Sequence, residues 1–378
     1  MRERVQKYLL EIMDDRRSGP TARVIKCILW TLSQLYRAGV WTRLRLYSMG
    51  LCRRRSLGCL TISVGNITVG GTGKTPVVEM LAKSLSEGGR KVAILSRGYK
   101  SKQPRDLGET DVEQEYSPKV VSDGKKVLLD PIHAGDEPYL LARNLQSVAV
   151  LVDKNRVEAG GYAISRMGAD TLILDDGFQY LALGRRLDFV LIDCTHPFGN
   201  GHLLPRGVLR EPLSGLKRAD YFFLTKTSGV QLEGIKEKLR EINPTAEIIE
   251  TIHQPLYFEE ATSKVREPPE FVRGKDVYVV SAIARPESFE RAIERLGGRI
   301  KKSIRFVDHH RFSPEEIEGL LAEASADGVD CIVTTQKDAV RLPPLKSTPV
   351  PIFFLRVAIK ITHGAVDFAD CVSRICYV

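Results

Sequence analysis

The sequence predicts an α/β fold: a doubly wound, mostly parallel sheet, a second smaller α/β domain, and an N-terminal amphipathic helix. Three observations predict it. An apolar run, Cys59–Val64, enters the glycine-rich stretch Val64–Pro76, VGNITVGGTGKTP, and a helical pattern, Val77–Leu85, leaves it. Downstream, strand-like and helix-like segments alternate, which implies parallel pairing with helices on both faces. A further α/β alternation begins at Asp276–Ser281.

Strand, glycine-rich turn and helix start form the context of a phosphate-binding loop, so the fold is of the P-loop NTPase-like kind. Gly70, Gly71 and Gly73 let backbone N–H groups curl around an anion, with Thr68 and Thr72 between and before them. The helix N-terminus adds partial positive charge, Lys74 reaches the β- and γ-phosphates, and the Thr75 hydroxyl suits Mg²⁺. Thr68 stands where the usual spacing has glycine. The loop is expected to bind a nucleotide phosphate.

The 378 residues are 43% hydrophobic and 27% charged, as in a soluble globular protein with a sizeable core. The net charge of +9 lies wholly in residues 1–60. A nucleic-acid enzyme would spread basic groups around its cleft, so no nucleic-acid partner is expected. Residues 1–55 read instead as a basic segment that docks on an anionic membrane surface. Val24, Ile28, Leu32 and Leu35 recur there at helical spacing beside Trp30 and Trp41, flanked by Arg and Lys. Within this segment Cys27–Tyr36 is the longest uncharged run, and it falls well short of the roughly 20 residues that span a bilayer. An interfacial helix fits, and a packed surface helix is the alternative. The seven scattered cysteines form no C-x-x-C and suggest reduced thiols without a metal cluster.

Residues 56–227 read as the phosphate-loop domain. Its expected strands are Lys91–Ser96, Val148–Val152, Thr171–Leu174, Asp188–Asp193 and Tyr221–Leu224, the last of the domain. The strand ending in Asp175 and Asp176 is a Walker-B arrangement, in which a carboxylate orients Mg²⁺. Residues 101–118 are an acidic excursion. After Tyr221–Leu224 comes Thr225-Lys226-Thr227-Ser228, with Ser where a guanine-reading loop needs Asp, which argues against GTP. Residues 228–378 read as the smaller domain, entered through proline-marked turns and linkers over 228–270. Asp308-His309-His310 lacks the further Asp/His pairs of manganese phosphoesterases. Phosphoryl transfer to an alcohol needs a carboxylate at the hydroxyl, and Asp136 is a candidate base that a histidine such as His309 could orient. Arg97, Arg206 and Arg210 are candidate phosphate clamps.

Together VGNITVGGTGKTP, SRGY (96–99), AGDEP (134–138), LDDGFQ (174–179), GNGHLLPRGVLREPLSGLKRAD (199–220), PESF (286–289), DHHRF (308–312) and TTQKDAVRL (334–342) resemble the tetraacyldisaccharide 4′-kinase family. These are the lipid A 4′-kinases of Gram-negative bacteria. The resemblance implies transfer of the ATP γ-phosphate to the 4′-hydroxyl of the lipid A disaccharide 1-phosphate, at the cytoplasmic face of the inner membrane, with no obligate protein partner. It implies Asp136 as catalytic base with His309, and Asp175 and Asp176 serving the metal and the transition state. Thr75, Asp176 and Glu211 would contact Mg²⁺. Gly70–Thr75, Thr68, Arg97, Gln179 and Arg206 would form the ATP site. A soluble phosphate-loop kinase or ligase for a small metabolite, and a nucleotide-driven switch, are the competing readings.

Overall fold

Residues 8, 11–13, 15–98, 118–345 and 348–377 are described by a computed structural model. The acidic stretch 101–118 falls, but for its last residue, outside them. The glycine loop is entered by β1 (Leu60–Asn66) and left by a helix at Lys74–Glu87, which we label α2 because the N-terminal helix α1 (Pro20–Ser48) precedes it. β1 is buried from Thr61 onward. That burial explains its unbroken apolar character, since a parallel central strand is covered on both faces.

Six more strands complete the first lobe: β2 (Val92–Ser96), β3 (Lys119–Asp123), β4 (Ala149–Val152), β5 (Thr171–Asp175), β6 (Leu187–Asp193) and β7 (Tyr221–Thr225). β1 lies between β5 and β6, both parallel to it. Among the described residues of this lobe, edge strand β3 alone runs antiparallel, against β4. Short helices α3 (Pro131–Ala134) and α4 (Asp136–Asn144), with α5 (Arg156–Met167), fill the crossovers.

The sheet does not stop at β7, contrary to the expectation that this strand closes its domain. After α6 (Glu233–Ile242), the 14-residue β8 (Glu247–Glu260) pairs in parallel with β7 through its first residues. Its remainder pairs antiparallel with β13 (Ile352–His363). β13 in turn lies beside β12 (Cys331–Thr335), then β10 (Asp276–Ser281) and β11 (Arg299–Arg305). A short β9 (Arg266–Glu267) edges β8. One 13-stranded sheet therefore crosses the expected boundary at 228. Polar residues and Pro255 mask β8 in the sequence. Pro255 sits opposite Val357, where the register shifts, the kind of irregularity at which a strand tolerates proline.

Helices α7 (Pro286–Arg295), α8 (Pro314–Ala326) and α9 (Gln336–Ala339) cover the second lobe. The chain's end then returns to the first lobe. Helix α10 (Ala365–Cys376) packs on α2 and β8. Its Phe368 and Cys371 join the first-lobe core, and the Phe368 ring stands edge-on to Phe223 at 6.1 Å.

α1 lies on the surface. Of its 29 residues only Ala22 and Ser33 are buried, while Val24, Ile28, Trp30, Leu32, Leu35 and Trp41 are exposed. Among the described residues, no helix is long and apolar enough to cross a membrane.

Phe368 tests the returning helix. Phe368→Ala should lower the unfolding free energy by about 3–5 kcal/mol, the usual cost of emptying a buried aromatic site. Urea unfolding measures it, and a change under about 1 kcal/mol would show that α10 does not belong to this core.

Candidate active site

The strand ends and the second lobe enclose a cleft of about 1140 Å³. On one wall lies the glycine loop. Gly70 (φ 113) and Gly73 (φ 84) occupy backbone conformations that a side chain would strain. A Cβ on Gly70 or Gly71 would meet open space, so their concavity is free to receive a ligand. Lys74 opens α2, and its Nζ lies 3.4 Å from both Asn66 Oδ1 and Asp176 Oδ1. Thr75 also lines the cleft.

The Walker-B pair sits beside this loop. Asp175 ends β5 and is buried, accepting a hydrogen bond from Ser96 Oγ at 3.1 Å. Burial, together with the negative charges of Glu137 and Asp176, pushes its carboxyl up to about 6. Burial acts the same way on Asp176, but Lys74 and Arg210 outweigh it and hold that carboxyl below its usual range. Arg210 Nη1 contacts both Asp176 oxygens, at 2.9 and 2.8 Å. Glu211 is buried, and its oxygens accept from Gln179 Nε2 and Arg218 Nη2, each at 2.7 Å. Gln179 also donates to the Asn66 carbonyl at 2.9 Å.

Opposite stands Asp136, at the first turn of α4. Its Oδ2 lies 2.8 Å from Arg341 Nε and 3.2 Å from His309 Nδ1, and its Oδ1 lies 3.3 Å from Arg311 Nη2. All three partners come from the second lobe. Burial would raise the Asp136 carboxyl, yet His309, Arg341 and Arg311 hold it at about 2. Arg341 is itself fully buried and bonded to Asp338 at 2.9 Å and to the Ala282 carbonyl at 3.0 Å. The His309 amide bonds the same Ala282 carbonyl, at 3.1 Å. Beside this pair, Lys337 Nζ bridges Glu137 Oε1 at 2.8 Å and His309 Nε2 at 3.4 Å.

The cleft thus gathers Gly70–Thr75, Asp136, Asp175, Asp176, Gln179, Glu211, His309, Arg97 and Arg210. Two expected nucleotide contacts lie elsewhere. Arg206 is buried against Asp15 at 2.7 Å and does not line the cleft, since a loop stitched to the N-terminal segment turns it away. Thr68 is buried as well. Its carbonyl accepts from Asn66 Nδ2 at 2.8 Å and its backbone bridges to Leu209. It braces the loop from behind.

Sequence reasoning passed over Glu137, Lys337, Arg341 and Arg311, and also Arg156 and Lys226, which line the cleft. The signal for four of them lay next to residues already singled out. Glu137 follows Asp136, Arg311 closes DHHRF, and Lys337 and Arg341 stand one helical turn apart in TTQKDAVRL.

The donor set suits Mg²⁺. Among the described residues, no three carboxylate, imidazole or thiol groups converge as a self-sufficient metal cage. Mg²⁺ bound with a nucleotide needs only one or two carboxylates plus phosphate oxygens. The raised Asp175 carboxyl marks an excess of buried negative charge that a divalent cation would relieve.

Comparison with known proteins places these features in a family context. The family model described as tetraacyldisaccharide-1-P 4′-kinase matches residues 25–375. A tetraacyldisaccharide 4′-kinase of Halothermothrix orenii is 36% identical, covering 99% of both chains. One from Anaeromyxobacter dehalogenans is 41% identical over 92% of this chain and 90% of its own. The crystal structure of an "apo" form of LpxK from Aquifex aeolicus in complex with ATP matches with a TM-score of 0.72 and 28% identity. It covers 93% of this chain and 100% of its own.

The Asp136 pairing has a pH signature. Its folded-state pKa of about 2 lies below the usual carboxylate value. The ionised form therefore stabilises the fold above pH ~4, and that contribution, on the order of 2 kcal/mol, is lost as pH falls from about 4 toward 2. Asp136→Asn should flatten the stability–pH curve in that window, read by urea unfolding at each pH. An acid limb as steep as that of the unsubstituted chain would contradict the pairing.

Proposed function

Because the chain belongs to the tetraacyldisaccharide-1-P 4′-kinase family, we propose that its cleft seats ATP on the glycine loop and the disaccharide 4′-hydroxyl at the Asp136–His309 pair. The chain is an ATP-dependent lipid kinase of lipid A biosynthesis, acting on the tetraacyldisaccharide phosphate. The observation that carries the residue assignment is the 3.2 Å approach of His309 to Asp136, facing the glycine loop across one cleft.

Phosphoryl transfer asks a protein mainly for alignment and charge stabilisation. The Gly70–Gly73 backbone and Lys74 would hold the β- and γ-phosphates, with Arg97 and Arg210 closing on the transferred group. Thr75 and the Asp175–Asp176 pair would hold Mg²⁺. Glu211, already bonded to Gln179 and Arg218, would reach the metal by giving up one of those contacts. When bound, the ion would supply charge neutralisation to the phosphate oxygens.

Asp136 and His309 then take the hydroxyl proton as a unit. A carboxyl held at about 2 retains a proton weakly, so Asp136 acts on the hydroxyl proton through its contact with His309. With a proton on Nδ1 donated to Asp136, His309 Nε2 would present its lone pair beside Lys337 Nζ, 3.4 Å away. Arg341 and Arg311 fix the carboxylate, and Lys337 adds positive charge beside it.

The exposed apolar side chains of α1 support docking in a bilayer interface. Tyr36, Val40, Arg43 and Leu44 of the same helix line the cleft, so a docked helix would bring the mouth of the site to an acylated acceptor. The +9 carried by residues 1–60 favours an anionic surface. An ATP donor and seven free thiols accord with the cytoplasmic face of the inner membrane.

Transfer of label from γ-labelled ATP to the disaccharide 1-phosphate reads the mechanism. Asp136→Ala and His309→Ala should each lower kcat by roughly 10²–10⁴, and the double variant should be little worse than either. Multiplying losses would mean two independent groups. For docking, Ile28→Glu/Leu35→Glu should cut co-sedimentation with phosphatidylglycerol vesicles by at least about tenfold, since each buried aliphatic side chain contributes about 1.5–3 kcal/mol. Undiminished binding would remove α1 from the membrane contact.

A further inference from the structure

We propose that Thr225 and Lys226, at the carboxyl end of β7, are positioning residues that hold the glycine loop in its phosphate-receiving shape. The inference rests on the reading that this loop seats the donor phosphates. Thr225 Oγ1 donates to the Thr72 carbonyl at 2.9 Å, and Lys226 Nζ donates to the Gly71 carbonyl at 3.0 Å. Two consecutive carbonyls of the loop are thereby tied to one strand end.

The C=O and N–H of a trans peptide unit point in opposite directions. Fixing the Thr72 carbonyl toward β7 therefore aims the Gly73 amide away from it, at the start of α2 where an anion is favoured. The Gly71 carbonyl, held by an ammonium, is kept from turning its partial negative charge toward a phosphate. Within the loop the Thr72 amide donates to the Gly70 carbonyl at 3.1 Å, but Gly70 and Gly71 contribute no side chain, so the side-chain ties come from β7.

Lys226 is held in turn. Asp193 Oδ2, at the end of β6, lies 2.6 Å from its Nζ, and this carboxylate is buried. Asp193 Oδ1 accepts from the Thr195 hydroxyl at 2.6 Å and amide at 3.1 Å. Arg285, from the second lobe, adds a contact to Asp193 at 3.3 Å. Lys226 adopts φ 58, as few non-glycine residues do, and such strain persists where the surroundings over-determine a conformation. The Thr-Lys-Thr-Ser segment that cannot read guanine thus has a different task, bracing the loop from behind.

The test compares ATP and adenosine binding by calorimetry, with steady-state kinetics on the full chain. Thr225→Val removes one brace without a charge. Lys226→Met/Asp193→Asn removes the other without leaving a lone buried carboxylate. Each should raise the Kd and KM for ATP about tenfold, the effect expected of one lost bond of this kind. Adenosine affinity and the acceptor KM should stay within about twofold, because the change is confined to phosphate reception. ATP binding within about twofold of the unsubstituted chain in both variants would overturn the proposal. So would equal losses for ATP and adenosine, which would report damage to the whole cleft. Lys74→Ala separates the underlying reading: if it leaves ATP affinity intact, the loop is not the donor site at all.

Discussion

The structure depends most on one buried carboxylate, Asp136, and the cationic groups the second lobe brings to it. A charge removed from water must be paired, or it becomes protonated or unfolds its surroundings. Here Arg341, Arg311 and His309 meet it from elements more than 170 residues distant in sequence. Arg341 serves two buried acids at once, so its removal would take a cation from both Asp136 and Asp338. The interaction that pairs the Asp136 carboxylate is also one that holds the lobes together. Neighbouring polar contacts repeat the pattern, with Lys337 on Glu137 and Gln336 on Asn144.

Around the glycine loop the electrostatics run the other way. Asp175, Asp176, Glu137 and Glu211 crowd negative charge into a partly buried space, and only some of it is neutralised by Lys74, Arg210, Lys337 and Arg218. Asp175 records the imbalance in its raised carboxyl. Such a site gains from an arriving cation, while the loop and its lysine gain from an arriving polyanion. A magnesium–nucleotide complex satisfies both needs together. Binding and charge balance are one event.

Helix α1 connects this chemistry to a surface. Tyr36 donates to the Arg210 carbonyl at 2.9 Å, and Arg43 donates to the Gln179 carbonyl at 3.0 Å. The helix that exposes an apolar stripe outward thus touches, on its inner side, the backbone of two residues that line the cleft. Burial of only two of its residues means that most of its length is held by few contacts. Among the described residues, nothing covers its outward stripe.

The sequence by itself determined the local elements whose signal is contiguous: β1, the glycine loop and α2; the apolar strand closing on Asp175 and Asp176; and the amphipathic α1. Each is written within about a dozen residues, where periodicity, glycine placement and charge act through short-range geometry. The phosphate side of the site was legible for the same reason. Tertiary structure alone decided what depends on distant partners. It turned Arg206 toward Asp15 and made Arg210 the cleft arginine of that loop. It ran one sheet through both lobes by way of β8, whose alternation Pro255 and its polar residues obscure. It returned α10 to the first lobe, and it bound Asp136 to Arg341 across 205 positions. Such pairings follow from where buried charges must find counter-charges once the chain is compact, and no local pattern encodes that.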